Sequence, residues 1–207
     1  MITTVVQSSW RARLDATLPV FGHRNWIVIA DSAYPSHCAP GIETIATDEG
    51  PLDVLRTTLQ CVDACVHIVP HCYTDGELGA IPDEDAPGIS AYRRGLTGLL
   101  AGRRSTTLAH DQLLLKVDET ARRFHVLIIK TSMLFPYSSV FLELGCRYWT
   151  DEAERKLRTN PIASSCPVSL VGDLTGLREQ DDSKPTDCAP AYRETDPRRG
   201  EGDGIHA

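Results

Sequence analysis

Short apolar runs, separated by longer segments of mixed polarity, are the main pattern along this chain. The strongest run spans residues 26–30, where tryptophan, isoleucine, valine, isoleucine and alanine follow one another. A continuous apolar run of this length, rich in β-branched residues, is typical of a strand covered on both faces. The other predicted strands lie at 66–69, 126–129 and 140–144, with weaker ones at 41–47 and 106–109.

The segments between these runs have the apolar spacing of amphipathic helices. We predict helices at 10–18, 52–65, 92–100 and 111–123. Ser8 or Ser9 can cap the first helix, and Pro51 falls near the first turn of the second. For the last helix, Asp111 is the predicted cap, and a partly apolar face is predicted from the spacing of Leu114, Leu115, Asp118, Ala121 and Arg122. Strands that alternate with helices predict an α/β fold, with a largely parallel sheet flanked by helices.

The chain divides by composition into two parts. Residues 1–150 contain all the predicted strands and helices and are expected to form a single α/β domain. Residues 151–207 are predicted to be a polar C-terminal extension that is partly or wholly disordered. Its last part, 180–207, has almost no apolar periodicity and cannot bury enough surface to offset the entropy lost on ordering.

Composition and charge narrow the classes of function. The formal net charge of −7 argues against a surface that binds the phosphates of nucleic acids. No apolar run is long enough to cross a membrane, and the first residues lack the pattern of a signal peptide. We therefore expect a cytoplasmic protein that binds neither nucleic acid nor membrane.

The seven cysteines do not indicate a disulfide framework, because their number is odd and the chain is long. Most are expected to be buried, reduced thiols. A cluster that resembles a metal site lies at Cys61, Cys65, His67, His71 and Cys72. Its spacing does not match a zinc site, and two histidines four apart on an extended strand are too distant to share an ion. A small metal-dependent hydrolase is therefore a weak alternative.

The first candidate site surrounds the strand at 26–30. A loop with Gly22, His23 and Asn25 precedes it, and Asp31, Tyr34-Pro35 and His37 follow it. Ligands of open α/β sheets collect outside the carboxyl ends of strands, where Asp31 and His37 are expected. Gly-His followed by a short strand and then Asp, eight positions after the histidine, resembles the D-ribose pyranase and L-fucose mutarotase (RbsD/FucU) family. The part from Asp31 to His37 resembles the fucose branch in particular, whereas Asn25 replaces the family's usual aspartate.

A second segment adds to this resemblance, which covers roughly residues 10–149. It runs from Lys130 to Ser139 and is followed by the strand at 140–144. Tyr137 matches a tyrosine of the family, Ser139 stands where the family usually has asparagine, and Thr131-Ser132 replaces a usual Gly-Glu pair. The resemblance implies that Tyr137 and Ser139 belong to the sugar site.

The family also places a histidine or arginine before its last helix. His110-Asp111-Gln112-Leu113 is similar to the pyranase form of this segment, if the preceding helix is about one turn longer. A gap-free alignment places Leu114 there instead. We favour His110, because a leucine side chain cannot bind a hydroxyl group.

The resemblance implies an RbsD-like fold and a cofactor-free, metal-free isomerase that interconverts the anomers or ring forms of a monosaccharide. Opening the ring needs a base at the anomeric hydroxyl and an acid at the ring oxygen, and histidine can serve as either near neutral pH. His23 is the expected acid or base. The expected sugar-binding residues are Asp31, His37, His110, Tyr137 and Ser139.

The family often builds one site from two subunits, so the resemblance also implies a homo-oligomer with sites at its interfaces. The alternative is a sugar-binding or regulatory protein without catalysis on the same scaffold. The changes at Asn25 and Ser139 slightly favour that alternative.

Overall fold

The computed structural model describes residues 9–159, which form helices on both faces of one mixed sheet. The strands are β1 (Trp26–Ala30), β2 (Ile42–Ala46), β3 (Ile68–Asp75), β4 (Ser105–Leu108), β5 (Val126–Lys130) and β6 (Val140–Cys146). The α-helices are α1 (Trp10–Thr17), α2 (Pro51–Ala64), α3 (Ile89–Leu100), α4 (His110–Ala121) and α5 (Asp151–Thr159), and a short 3₁₀ helix spans Glu77–Ala80. The expected α/β class is confirmed.

The six strands lie in the order β2-β5-β1-β6-β3-β4. β1 and β2 run parallel to β5, and β4 runs parallel to β3. β6 is antiparallel to both β1 and β3, so β6 alone runs against the other five. The largely parallel sheet is thus confirmed. We call the side where the five parallel strands end, and where β6 begins, the carboxyl edge.

Each face of the sheet has its own hydrophobic core. On one face, Ile27 and Ile29 of β1 pack in a cluster that contains the buried residues of α1, α2 and α3. On the other face, Trp26, Val28 and Ala30 pack in a smaller cluster with α4. All five residues of β1 are buried, as expected for a strand covered on both faces. This double packing fixes where the loops at the carboxyl edge begin.

The largest difference from the sequence prediction is in β3. The strand was expected at 66–69, but it begins at Ile68 and continues to Asp75. Pro70 obscures the pattern because a proline cannot donate a ladder hydrogen bond. It is tolerated because β4 pairs with β3 only from Cys72 onwards. The extension matters for function because it brings Asp75 to the carboxyl edge.

The last helix begins one residue earlier than predicted, and its predicted apolar face is correct at Ala121 but wrong at Leu115. α4 begins at His110, with Ala109 at the cap position, so Asp111 lies in the first turn. Its buried residues are Leu113, Val117 and Ala121, spaced four apart on one face, whereas Leu115 is 61% exposed. Leu114 is half-buried against the same cluster.

The remaining predictions have mixed outcomes. Ser9 caps α1 through a 3.3 Å hydrogen bond from the Ala12 N–H, and Pro51 is the first residue of α2. In the predicted extension, residues 151–159 form α5, while 160–207 lie outside the described residues. Of the cysteines in the described part, Cys72 is buried and the others are not, so the expectation of mostly buried thiols is wrong there. No helix among residues 9–159 has the length and apolarity needed to span a membrane.

Candidate functional site

Asp31 and Ser139 meet at the carboxyl edge. Asp31 follows β1 directly and Ser139 precedes β6, and these two strands are neighbours. The Ser139 hydroxyl donates to Asp31 Oδ2 at 2.9 Å, and the Ala33 N–H donates to Asp31 Oδ1 at 2.9 Å. Ser139 is only 2% exposed, whereas Asp31 is half-buried. The serine therefore orients a carboxylate that still reaches solvent.

The loop that carries Tyr137 is held from below by buried hydrogen bonds. The Tyr92 hydroxyl donates to the Ser138 carbonyl at 2.5 Å, and the Ser138 hydroxyl donates to the Phe135 carbonyl at 2.7 Å. Tyr137 has φ of 56° and is 38% exposed. A bulky residue in this left-handed region is strained, and such strain often occurs at functional sites. This loop conformation leaves the Tyr137 side chain partly exposed at the surface.

His110 lies against Tyr137 at the same edge. The two ring centroids are 5.1 Å apart with an interplanar angle of 87°, an edge-to-face contact. His110 Nδ1 lies 2.8 Å from Asp75 Oδ2, and the imidazole side chain is 30% exposed. The structure thus brings together two of the residues that the sequence singled out, at the ends of separate elements.

Asp75 is part of this group, and the sequence analysis missed it. Asp75 is 3% exposed, and burial raises the pKa of its carboxyl to about 6, although the hydrogen bond from His110 opposes that shift. Its Oδ1 has no hydrogen-bond partner within the described residues. The available signal was the β-favouring run Cys72-Tyr73-Thr74 before an aspartate, which repeats the arrangement of β1 and Asp31.

His37 lies on the α4 side of the sheet. Its Nδ1 is 2.9 Å from Asp118 Oδ1, and its ring centroid is 5.6 Å from that of Tyr34. His37 Nε2 and the Tyr34 hydroxyl are both buried without a hydrogen-bond partner among residues 9–159. Burial raises the pKa of Tyr34, and the charges of Asp118 and Asp31 act in the same direction. His37 therefore contacts α4 rather than the Asp31–Ser139 pair.

His23 occupies the opposite edge of the sheet within one chain. It lies three residues before β1 in an exposed turn, and Arg24 beside it has φ of 74°. The five residues of β1 span about 16 Å at about 3.3 Å per residue, which separates His23 from Asp31. The charge of His23 contributes to the lowered pKa of Glu154 on α5, after larger contributions from Trp149 and Arg158.

Two open clefts border the carboxyl edge. The larger, of about 540 Å³, lies between β3, β4 and α3, and Asp75, Arg93 and Thr107 are among its lining residues. The smaller, of about 420 Å³, is lined by Glu77 and by the start of α4. Asp31, His110 and Tyr137 line neither of these two clefts.

The cysteine and histidine cluster of the sequence is dispersed by the fold. His67 Nε2 lies 3.0 Å from the Phe21 carbonyl, and His71 Nε2 lies 2.9 Å from the Thr106 hydroxyl. No set of three or more histidine, cysteine or acidic residues within 9–159 is arranged to hold a metal ion.

Comparison with known proteins gives one curated relative and several solved structures. No family model matches the chain. A D-ribose pyranase of Symbiobacterium thermophilum is 29% identical over 132 residues, covering 61% of this chain and 86% of the relative. This similarity agrees with the resemblance to the ribose pyranase and fucose mutarotase (RbsD/FucU) family that the sequence motifs indicate.

The solved structures that are similar carry names from the same family. Bacillus subtilis RbsD complexed with D-ribose is 19% identical, with a TM-score of 0.48, and the match covers 70% of this chain and 98% of that one. The fucose mutarotase of Streptococcus pneumoniae in complex with L-fucose is 21% identical, with a TM-score of 0.43 and coverages of 63% and 89%. The comparisons do not distinguish the fucose branch from the ribose branch.

The residues that depart from the RbsD/FucU pattern have structural roles here. Asn25 Oδ1 accepts from the Gly22 N–H at 2.8 Å, and Asn25 Nδ2 donates to the His125 carbonyl at 3.1 Å. An aspartate could make the first bond but could not donate the second. The Thr131 hydroxyl donates to the Ala30 carbonyl at 2.9 Å and so ties the ends of β5 and β1 together.

Proposed function

We propose that this protein is a carbohydrate isomerase that speeds mutarotation, or pyranose–furanose exchange, of a monosaccharide such as fucose or ribose. The observation that carries the proposal is the group of Asp31, Ser139, His110 and Tyr137 at one edge of the sheet. The name of the curated relative, a D-ribose pyranase, supports the same reaction class.

The residue types suit ring opening of a hemiacetal. A base removes the proton from the anomeric hydroxyl while an acid protonates the ring oxygen, and the bond between that oxygen and the anomeric carbon breaks. The open aldehyde rotates and recloses by the reverse proton transfers, so no net proton or electron is consumed. Histidine suits these transfers near neutral pH, and carboxylate and phenol groups can hold the sugar hydroxyls.

In this proposal a complete site needs two copies of the chain. The Asp31 carboxylate and the Tyr137 and His110 side chains of one copy bind the sugar. His23 of a second copy supplies the acid or base, because within one chain β1 separates His23 from Asp31 by about 16 Å. The exposed turn of His23 is accessible for such a contact. The protein is therefore proposed to be a homo-oligomer with its sites at subunit interfaces.

Ser139 and His37 have supporting roles in this account. The Ser139 hydroxyl is buried and donates to Asp31, so it sets the direction of that carboxylate. His37 is bonded to Asp118 and its Nε2 is buried, so in this proposal it holds the segment after Asp31 against α4 rather than touching the sugar.

Saturation-transfer NMR on a panel containing ribose and fucose tests the activity directly, because it measures exchange between ring forms at equilibrium. We expect the wild-type protein to speed exchange of at least one sugar above the buffer rate. Asp31→Asn is expected to lower that rate about 100-fold, since hydrogen bonds between a carboxylate and the sugar hydroxyls contribute about 1.5–3 kcal/mol. Asp63→Asn is the matched control, because Asp63 pairs with Arg103 away from this edge. Wild-type rates equal to buffer for every sugar would contradict the proposal.

A sugar-binding protein without catalysis is the second candidate. The position of Ser139 favours it, because the family's asparagine is replaced by a hydroxyl that is already bonded to Asp31. Calorimetry and exchange rates on His23→Ala separate the two candidates. The isomerase proposal expects sugar binding to persist while exchange is lost, whereas the second candidate expects binding without exchange in the wild type.

A further inference from the structure

Two carboxylates from one short segment hold His110, one by its ring and one by its backbone. Asp75 ends β3, and Glu77 begins the 3₁₀ helix that follows. Both face the start of α4, which arrives at the carboxyl edge from β4. Neither carboxylate is part of the reaction proposed above.

Glu77 fixes the backbone of His110. The residue before α4 is Ala109, which has no side chain able to cap a helix. The Glu77 carboxylate takes that role from another element, accepting the His110 N–H at 3.1 and 3.2 Å. The contact between the two carboxyl groups lowers the pKa of Glu77 and raises that of Asp75, and the His110 N–H bond lowers the pKa of Glu77 further. The first residue of α4 is thus held in place.

Asp75 fixes the ring of His110. An ionised carboxylate can only accept a hydrogen bond, so the 2.8 Å contact requires the proton on His110 Nδ1. The edge-to-face contact with Tyr137 limits rotation of the ring about its axis. Nδ1 thus has a hydrogen-bond partner, whereas Nε2 has none within the described residues. The side chain is 30% exposed, so solvent or a ligand can reach it.

We propose that Asp75 is a positioning residue that holds His110 as its Nδ1–H tautomer and so presents Nε2 as a hydrogen-bond acceptor at the sugar site. The role of Nε2 toward a sugar rests on the proposed function, but the tautomer does not. With a carboxyl pKa of about 6, Asp75 is largely ionised at neutral pH, which is the form that this tautomer needs. Asp75 acts through His110 and does not itself touch the substrate.

Nitrogen-15 NMR of the histidine rings in the full-length protein, at about pH 7.5 where Asp75 is ionised, tests the tautomer without any sugar. The ring signals that are missing from the spectrum of the His110→Gln variant are assigned to His110. The wild type is expected to show protonated Nδ1 and unprotonated Nε2, and Asp75→Asn is expected to shift His110 toward a mixture of tautomers. Asp118→Asn is the spectroscopic control, because it removes the carboxylate on His37 and should leave the His110 signals unchanged.

The tautomer results decide the proposal even if a variant fails to fold. A wild-type His110 with the proton on Nε2 would overturn it without any Asp75 variant. Identical His110 signals in folded Asp75→Asn and wild type would also overturn it. A folded Asp75→Glu variant, which keeps a carboxylate, is expected to retain more of the Nδ1–H form than Asp75→Asn.

Exchange kinetics then separate this proposal from the proposed function. Where the wild type is active, Asp75→Asn is expected to lower kcat about 10-fold, as expected for loss of a well-oriented proton-transfer or hydrogen-bonding group. An unchanged kcat together with a changed tautomer would show that Nε2 does not serve the reaction and would overturn that half. If the wild type speeds no exchange, the proposed function is wrong. The claim that Asp75 holds His110 as its Nδ1–H tautomer is still tested by the NMR experiment.

Discussion

At the scale of single residues, the most informative group is the buried carboxyl of Asp75. Burial has the largest effect on its pKa and favours the neutral form, the hydrogen bond from His110 favours the ionised form, and the neighbouring Glu77 carboxyl again favours the neutral form. The fold therefore buries a carboxyl group at a position where its ionisation costs free energy. Such a cost is typical of residues that serve a site rather than the stability of the fold.

This cost predicts how stability depends on pH. Because the folded pKa of Asp75 lies above its value in the unfolded chain, its contribution to stability is fully present at low pH. The contribution decreases as the pH rises toward and through about 6. Replacing Asp75 by asparagine removes this loss, so the free energy of unfolding of Asp75→Asn, relative to the wild type, should rise with pH. We expect a relative gain of about 1 kcal/mol between about pH 5 and about pH 7.5.

Urea unfolding of both proteins at these two values of pH measures that difference. The comparison at each pH cancels the groups that the two proteins share. A difference in unfolding free energy that stays constant, or that decreases with pH, would show that Asp75 does not carry a raised pKa.

The residues of the candidate site were only partly visible in the sequence. Asp31 was visible because it follows a strand whose apolar run is unambiguous, and Tyr137 because its segment matches a family pattern. Asp75 was hidden because Pro70 and His71 interrupt the apolar pattern of β3, so the strand seemed to end before it. Sequence spacing also could not indicate that Glu77 would cap a helix 33 residues further along the chain.

At the scale of elements, the accuracy of the sequence predictions depended on burial. β1, β5 and β6 are buried through most of their length, so their sequences are continuous apolar runs and their positions were predicted correctly. α4 is covered on one side only, and its interior face is three residues spaced four apart. The exposed Leu115 suggested a second apolar face on this helix, which is why part of the predicted face was wrong.

The contact between the end of α4 and the start of β2 gives a prediction about packing. A Cβ at Gly41 would overlap the Ala121 carbonyl oxygen and lie 2.8 Å from that of Phe124. Both oxygens belong to the backbone, so no side-chain rotation can relieve the overlap. We therefore expect Gly41→Ala to lower the free energy of unfolding by about 1–3 kcal/mol.

Gly98→Ala is the matched control for that measurement. Gly98 lies inside α3, where a Cβ would meet nothing within 4 Å. Alanine has a higher helix propensity than glycine, so this change should raise the unfolding free energy by about 0.5–1 kcal/mol. A Gly41→Ala protein as stable as the wild type in urea would show that α4 and β2 do not approach as closely as described.

At the scale of the whole molecule, strand direction decides which residues can meet. Five parallel strands end at one edge, so residues far apart in sequence, such as Asp31, Asp75 and His110, come together there. The same rule separates His23 from Asp31, although they are only eight residues apart. Because His23 precedes the five-residue strand and Asp31 follows it, the sequence alone could have predicted that they lie at opposite edges of the sheet.

The proposed sugar site combines the carboxyl edge of one copy with the His23 turn of another. Mixing the inactive variants His23→Ala and Asp31→Asn, with exchange of subunits, tests it most directly by saturation-transfer NMR. In a random mixture of equal amounts, about a quarter of the interfaces would join an intact carboxyl edge to an intact His23, so about a quarter of wild-type activity should return. A mixture that exchanges subunits but is no more active than either variant alone would contradict the claim.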